Sequence, residues 1–229
     1  MSTIIAVRGA EPWRRRLFLP AYTVVDAARY TKTRPKTISY WHFGGPNVGP
    51  ALPGREHRRP LSYLELIEAA FVITFRRLGL SLQKIRRARE YAAQALNSEF
   101  PFAEYKWKTE GQHMLLDLWR SDPDSEAKRL ILGDVDGQET WQDMVGDRFA
   151  EFDYENELAL IWHVAGRQSR VTIDPRIAFG APMVRGIATW VLKGRWKAGE
   201  SIQDIEEDFK LDKSEIEQGL QFEGIKVAV

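Results

Sequence analysis

The chain lacks residue types and segments on which whole classes of protein depend. Its 229 residues include no cysteine, which excludes disulfides, thiolate metal sites and cysteine nucleophiles and is typical of a reducing cytoplasm. No apolar run reaches the roughly 20 residues of a membrane-spanning helix. The arginines of RRRLFLP (14–20) resemble an export signal, but Asp26 and Arg29 interrupt the apolar segment that such a signal requires. We therefore expect a cytoplasmic protein without a membrane partner.

Recognisable catalytic and cofactor motifs are also missing. The 4 histidines, at positions 42, 57, 113 and 163, are not at metal-ligand spacing, and His-Glu-x-x-His is absent. Gly-x-Ser-x-Gly is absent, and the glycine-rich segment 42–60 lacks the Gly-Lys-Ser ending of a phosphate-binding loop. We expect no enzyme, no metal and no cofactor. A Ser-His-Asp set assembled from distant residues stays open as the alternative.

The formal net charge of +1 conceals two halves of opposite sign. Residues 1–97 hold 17 Lys+Arg against 6 Asp+Glu, a net charge of +11, and residues 98–229 hold 16 against 26, a net charge of −10. This asymmetry is typical of a chain in which one half faces nucleic acid and the other half avoids it. The alternative is two ordinary domains whose solvated surfaces happen to differ.

Residues 22–41, YTVVDAARYTKTRPKTISYW, predict a helix-turn-helix. Thr33 is expected to be the N-cap of the second helix, and Pro35 fits its first turn, where no backbone donor is needed. Hydroxyls and long cations at the start of such a helix suit phosphates and base edges in a major groove. The side chains expected in the core are Val24, Val25, Ala27, Ala28, Tyr30, Ile38 and Trp41. The side chains expected to face DNA are Thr33, Arg34, Lys36, Thr37, Ser39 and Tyr40.

A Gly- and Pro-rich segment follows, HFGGPNVGPALPGREHRRP (42–60). We interpret it as a hairpin-like wing that carries Arg55, Arg58 and Arg59 to the DNA backbone, with a disordered linker as the alternative. LSYLELIEAAFVITFRRLG (61–79) and SLQKIRRAREYAAQAL (81–96) then predict two helices, the second capped by Ser81. The residues expected on the solvent face of the second helix are Lys84, Arg86, Arg87 and Arg89.

This order of elements resembles the MerR-type winged helix-turn-helix family over about 80 residues, with LSYLELIEAAFV and LGLSLQKIRRA opening the helix pair. The resemblance implies that the second helix and the wing bind promoter DNA and that the protein dimerises. The long solitary C-terminal helix that pairs MerR dimers is absent, as are the effector-binding cysteines of the metal-sensing members. DNA binding therefore carries over, whereas ligand sensing and the dimer geometry do not.

The acidic half predicts strands first and helices later. Hairpins are expected over FAEYKWKTEGQHMLLDL (102–118) and between LALIWHV (158–164) and SRVTIDP (169–175). Short helices are expected at 187–196, after Ser201, and after Asp212, which forms a capping box with Glu215. From Ser201 to Gly224 there are 8 acidic and 2 basic residues, so this second helix-turn-helix outline favours protein binding or dimerisation over DNA.

The same segment resembles the small C-terminal domain of a VapB-type antitoxin family over about 55 residues. The matching residues are Ile173, Asp174, Pro175, Gly180, Pro182, Gly186 and AGES (198–201). Ile187 and Ala188 replace the Thr-Arg that commonly follows the last glycine, so a role for those side chains does not carry over. The resemblance implies a cognate toxin related to the PIN-domain ribonucleases, and autoregulation of the operon.

The sequence thus predicts an α+β chain with an N-terminal winged helix-turn-helix (1–97), a β-rich middle region (98–170) and a C-terminal three-helix, helix-turn-helix-like domain (171–229). The predicted function is a type II antitoxin, a homodimer that binds double-stranded operator DNA and neutralises a PIN-like ribonuclease toxin. Its acidic half would contact a basic toxin, since opposite fields favour encounter. The alternative is a stand-alone transcription regulator whose acidic half binds a small effector or another chain.

Overall fold

The computed structural model describes residues 12–45, 49–109, 111 and 141–226. The chain forms two compact units, one of Met1–Ala150 with Tyr154–Ala159 and the other of Glu151–Asp153 with Leu160–Val229. Helices and small sheets are mixed, so the predicted α+β class is confirmed. The divisions at 97 and 170 stay predictions.

The first unit is built around one apolar helix. Its helices are α1 (Pro12–Arg16), α2 (Val24–Tyr30), α3 (Pro35–Phe43), α4 (Tyr63–Arg77), α5 (Leu82–Leu96), the 3-10 helix Pro101–Ala103, and α6 (Trp141–Ala150). Every residue of α4 from Tyr63 to Ile73 is buried, as expected of a helix that is apolar on nearly all sides. Ser62 and Glu65 form a capping box that begins it, so two amide donors are satisfied at its N-terminus.

The hairpin expected over 102–118 is wrong where the structure describes it. Phe102 lies in a 3-10 helix, residues 105–109 are α-helical, and residues 112–118 lie outside the described part. The amide of Phe102 donates to a side-chain oxygen of Glu68 on α4 at 2.8 Å. This contact takes a backbone donor that a strand ladder would use, and it depends on a residue 34 positions away. The described middle region therefore contains helix as well as strand.

Short antiparallel strands follow. They are β1 (Phe152–Glu155), β2 (Leu158–Trp162), β3 (Val171–Thr172), β4 (Met183–Val184) and β5 (Ile187–Ala188). β1 pairs with β2, and β3, β4 and β5 form a sheet in that order. The hairpin expected between 158–164 and 169–175 is present as an antiparallel bridge from Trp162 to Ile173.

The second unit ends in α7 (Thr189–Lys197), α8 (Ile202–Phe209) and α9 (Lys213–Phe222). The first of these begins later than expected, because Ile187 and Ala188 pair with β4 as a strand. The predicted caps are confirmed at Ser81, at Ser201 and at the Asp212–Glu215 capping box. Within the described ranges we find no helix with the length and hydropathy for crossing a bilayer, and no group of three or more potential metal ligands.

Candidate nucleic-acid interface

The helix-turn-helix is formed by α2, a short turn and α3. A capping box of Thr23 and Asp26 begins α2. The turn closes with the amide of Thr33 donating to the carbonyl of Ala28 at 2.8 Å, and Lys32 has a left-handed φ of 54°. The N-cap of α3 is Arg34 rather than the expected Thr33. Proline disfavours helical geometry in the residue before it, so Arg34 stays extended and α3 begins only at Pro35.

One side of this motif packs into the core. Ile38 and Trp41 on α3 are 0% and 2% exposed, and Ala27, Ala28 and Tyr30 on α2 are also buried, as predicted. The expectation for Val25 is wrong, since its side chain is 64% exposed. On a helix of 7 residues, the buried positions 27, 28 and 30 leave Val25 on the opposite side.

The opposite side of α3 carries the predicted polar residues. Arg34, Lys36 and Tyr40 are exposed, and Thr33, Thr37 and Ser39 are half-buried. In the described part of the chain, neither Arg34 nor Lys36 forms an ion pair. The ring of Tyr40 lies against the backbone at Gly45, where a Cβ atom would be 2.6 Å from Cε2 of the tyrosine. Glycine at that position therefore lets Tyr40 stay where it is.

The segment after α3 folds back onto the end of that helix. The amides of Ala51 and Leu52 donate to the carbonyl of Trp41 at 2.8 and 3.0 Å. The imidazole Nδ1 of His42 lies 2.8 Å from the carbonyl oxygen of Pro53. The described residues between 44 and 60 contain no β-strand. These described residues form an irregular loop held by backbone and aromatic contacts. Residues 46–48 lie outside the described part, so the hairpin-like wing stays a prediction.

Arg55 departs from the prediction. It is 8% exposed, its guanidinium donates to the carbonyl of Arg59, and it lies 5.5 Å from the centroid of Phe43. The ring of His57 stacks on the same Phe43, with centroids 4.2 Å apart and planes 5° from parallel. Arg55 thus holds the loop to α3 and does not extend from the surface.

The two remaining loop arginines differ from each other. Arg58 is exposed and has a left-handed φ of 67°. Arg59 is half-buried and lies 3.6 Å from the carboxylate of Glu65. A cation that already has a carboxylate partner must give up that contact to bind a phosphate. Arg58 is therefore the better phosphate ligand of the pair.

Burial also affects His42. Desolvation lowers the pKa of this imidazole below its ordinary value, although the hydrogen bond with Pro53 opposes the shift. The Nε2 atom is buried and has no hydrogen-bond partner in the described part of the chain. A neutral ring that donates from Nδ1 suits this site, because a proton on Nε2 would be left unsatisfied.

Two arginines outside α3 have roles that the sequence did not indicate. Arg89 was expected on the solvent face of α5, but its side chain is 11% exposed and pairs with the buried Glu68. Arg77, at the end of α4, donates to the carbonyls of Thr31 and Lys32 at 3.4 and 3.3 Å. Arg77 therefore contacts the turn that positions α3, and only a tertiary structure could reveal this pairing.

Three of the residues that carry the VapB resemblance have structural roles in the second unit. Asp174 is 3% exposed and accepts hydrogen bonds from the backbone amide, Nε and Nη2 of Arg176 at 2.7–3.1 Å. Gly180 and Gly186 have φ values of 77° and 87°, in the left-handed region that favours glycine. These positions shape the turns around β4.

The chain has relatives in sequence and in structure. A sequence profile described as "Protein of unknown function (DUF433)" matches residues 171–222. Over 237 residues the chain is 23% identical to a protein of Mycobacterium tuberculosis named "Putative antitoxin VapB45", an alignment that covers 93% of this chain and 97% of that protein. The crystal structure of Rv2018 from Mycobacterium tuberculosis matches with a TM-score of 0.75 and 22% identity, over 90% of this chain and 99% of that one. The chain therefore shares the fold of Rv2018.

Proposed function

We propose that the chain is the DNA-binding antitoxin of a type II toxin–antitoxin pair, with a PIN-like ribonuclease as its toxin. The observation that carries the antitoxin assignment is similarity, over 93% of this chain, to a protein whose name is that of an antitoxin. The chain would act in the cytoplasm as a homodimer, and it would repress its own operon by binding operator DNA. Catalysis has no part in this function.

The exposed side of α3 supports the DNA-binding part of the proposal. Arg34 and Lys36 lie at the N-terminus of a helix of 9 residues, where backbone amides and the helix dipole also favour phosphate. Thr37, Ser39 and Tyr40 follow along the same helix and would set its register on base edges. Arg58, from the loop folded onto the end of α3, would add a phosphate contact.

Operator binding is tested by fluorescence anisotropy, with a duplex taken from the promoter of the chain's own gene. We expect the double variant Arg34→Ala/Lys36→Ala to bind this duplex at least tenfold more weakly. We also expect its salt dependence to flatten by about 0.9 units for each lost phosphate contact. The matched control is Lys106→Ala, an exposed lysine of the same unit. Equal losses in the variant and the control would contradict a specific role for α3.

Toxin neutralisation is tested by co-expression with the small reading frame that adjoins the chain's own gene, which the proposal expects to encode a PIN-like ribonuclease. We expect the chain to relieve growth arrest, to co-purify with the ribonuclease in a stable stoichiometric complex, and to suppress RNA cleavage in vitro. If the chain binds its operator while the ribonuclease stays active and unbound, the stand-alone regulator is the correct alternative.

A further inference from the structure

The turn between α2 and α3 holds a lysine in a conformation that favours glycine. The amide of Lys32 donates to the carbonyl of Arg29 at 3.2 Å. The amide of Thr33 donates to the carbonyl of Ala28 at 2.8 Å. These two bonds form the Schellman arrangement at the end of a helix, in which the first residue beyond the cap has a left-handed backbone and is usually glycine. Lys32 occupies that position, with a φ of 54°.

A lysine in this position is strained. In the left-handed region a Cβ atom crowds the backbone, and glycine alone has no such penalty. The backbone of Lys32 cannot relax, because the two hydrogen bonds of the turn fix its conformation. Glycine would keep both bonds and lack only the side chain. Strain that a fixed turn retains is a sign of function, and here it indicates a use for the lysine side chain.

The turn itself does not need that side chain. A cation is favourable beside the carbonyls that end a helix, but Arg77 already occupies this place from the end of α4. Its Nη2 atom donates to the carbonyls of Thr31 and Lys32 at 3.4 and 3.3 Å. The side chain of Lys32 is exposed, and within the described ranges its ammonium group forms no hydrogen bond and no ion pair.

The surrounding sequence contains cations and no carboxylates. Residues 27–55 include 5 Lys+Arg and no Asp or Glu. The carboxylate just before this range, Asp26, accepts from the hydroxyl and the amide of Thr23 at 2.6 and 3.1 Å. Arg34 and Lys36 follow Lys32 at intervals of two residues, and both are exposed. Exposed cations that no carboxylate neutralises attract the phosphates of a duplex.

We propose that Lys32 is a further DNA ligand, which contacts a backbone phosphate next to those proposed for Arg34 and Lys36. This inference rests on the proposed operator binding. Two residues of chain span about 7 Å at most, so a duplex against Arg34 lies within reach of the flexible four-carbon side chain of Lys32. A phosphate contact at the turn would fix the position and orientation of α3 on the duplex without reading its sequence.

Lys32→Gly is the main test, because it removes the strain and the cation together. We expect the urea unfolding midpoint of the first unit to rise, since glycine is unstrained at this φ. We expect affinity for the promoter duplex to fall severalfold and the salt dependence to flatten by about 0.9 units, the effect of one lost phosphate contact. Fluorescence anisotropy at several salt concentrations and urea unfolding followed by circular dichroism measure the two effects.

Two further variants separate charge from backbone strain. Lys32→Arg keeps both the cation and the left-handed residue, so it should bind and unfold as the unchanged chain does. Lys210→Gly is the matched control, because Lys210 is an exposed lysine that follows α8 with a φ of 55°. It should raise the unfolding midpoint of the second unit and leave affinity and salt dependence unchanged. Equal losses of affinity in Lys32→Gly and Lys210→Gly would overturn the proposal.

An unrelated duplex of the same length tests whether the contact is to the backbone. Lys32→Gly should weaken binding to both duplexes by the same factor. A loss confined to the promoter duplex would overturn the phosphate assignment in favour of a base contact. A lower unfolding midpoint in Lys32→Gly would also count against the proposal, because the lysine would then serve the turn.

The same titrations distinguish failure of this contact from failure of the proposed function. If the unchanged chain binds the promoter duplex and Lys32→Gly binds it with equal affinity and equal salt dependence, Lys32 is not a DNA ligand and operator binding stands. If the unchanged chain binds neither duplex, operator binding and the Lys32 contact are both wrong.

Discussion

The Nε atom of Arg89 donates a hydrogen bond of 2.5 Å to Oε2 of Glu68, a carboxylate whose side chain has no exposed area. The other carboxylate oxygen accepts from the amide of Phe102 at 2.8 Å. Burial raises the pKa of Glu68, and the neighbouring guanidinium of Arg89 opposes that rise. One carboxylate thus joins α4, α5 and the 3-10 helix after α5. This joint lies in the unit that carries α3.

Removing the arginine should therefore destabilise the first unit strongly. Arg89→Ala leaves a buried carboxylate without its cation, a change that costs about 3–5 kcal/mol of unfolding free energy in other proteins. The measurement is urea unfolding followed by circular dichroism. Arg86→Ala is the matched control on the same helix, because its ion pair with Glu90 is long, at 3.9 Å, and partly exposed, with side chains 31% and 60% accessible to solvent. The control should cost less than about 1 kcal/mol, and equal losses in the two variants would contradict the buried pair.

His42 should make the stability of the fold depend on pH. Because burial lowers its pKa in the folded protein, the unfolded chain binds the proton more tightly. Its contribution to stability is complete above about pH 6.5, the pKa of an unperturbed imidazole, and is lost as the pH falls towards the folded pKa. His42→Asn keeps a donor close to the position of Nδ1 but cannot be protonated.

The measurement for His42 compares urea midpoints at about pH 7.5 and pH 5.5, on either side of the ordinary imidazole value. The unchanged chain should lose more stability between these two pH values than His42→Asn does. An NMR titration of the His42 ring gives a direct check. A midpoint at or above the ordinary imidazole value would show that the ring is not desolvated as described.

Structural features that depend only on neighbouring residues could be predicted from the sequence. Ser81, Ser201 and the Asp212–Glu215 box begin helices where expected, because a cap is decided by residues three positions apart. The core side of α3, with Ile38 and Trp41, also followed from helical spacing alone. The expected DNA-facing side chains of α3 are exposed or half-buried, although their binding to DNA stays a prediction.

Errors arose where a distant residue decides the local structure. Arg89 has the spacing of a solvent-facing residue, but Glu68, 21 positions earlier, draws it inward. Arg55 belongs to a Gly- and Pro-rich segment that is expected to be exposed. Its side chain is nevertheless buried, because it contacts the ring of Phe43 and the carbonyl of Arg59. A carboxylate within an otherwise apolar helix, as Glu68 is, was the one signal that could have indicated a buried partner, since a buried charge needs a counter-charge.

Helix packing in the second unit should be sensitive to a single methyl group. A Cβ atom on Gly219 of α9 would lie 2.6 Å from Cδ1 of Leu192 on α7, and Leu192 is fully buried. Overpacking of this kind costs about 1–3 kcal/mol, which should exceed the roughly 1 kcal/mol that alanine contributes in helix propensity over glycine. We expect Gly219→Ala to lower the thermal unfolding midpoint of the second unit.

Gly194→Ala is the control for this packing effect. Gly194 also lies in a helix, α7, but its Cβ atom would meet nothing within 4 Å. At this position alanine only adds helix propensity, so Gly194→Ala should raise the thermal unfolding midpoint. The double variant Gly219→Ala/Leu192→Ala should lose less than the sum of the two single changes, because removing the leucine side chain makes room for the methyl group. Additive losses would place the strain elsewhere.

Changing each of the three loop arginines to alanine should have a different effect, because the three side chains make different contacts. Arg58→Ala removes an exposed cation, so operator affinity should fall for all sequences and the salt dependence should flatten by about one unit. Arg59→Ala should have a smaller effect, because Arg59 already lies 3.6 Å from Glu65. Arg55→Ala should lower the unfolding midpoint instead, since this buried side chain contacts Phe43 and the carbonyl of Arg59. Anisotropy at several salt concentrations, together with urea unfolding, distinguishes these outcomes. An unchanged salt dependence in Arg58→Ala would remove the loop from the DNA interface.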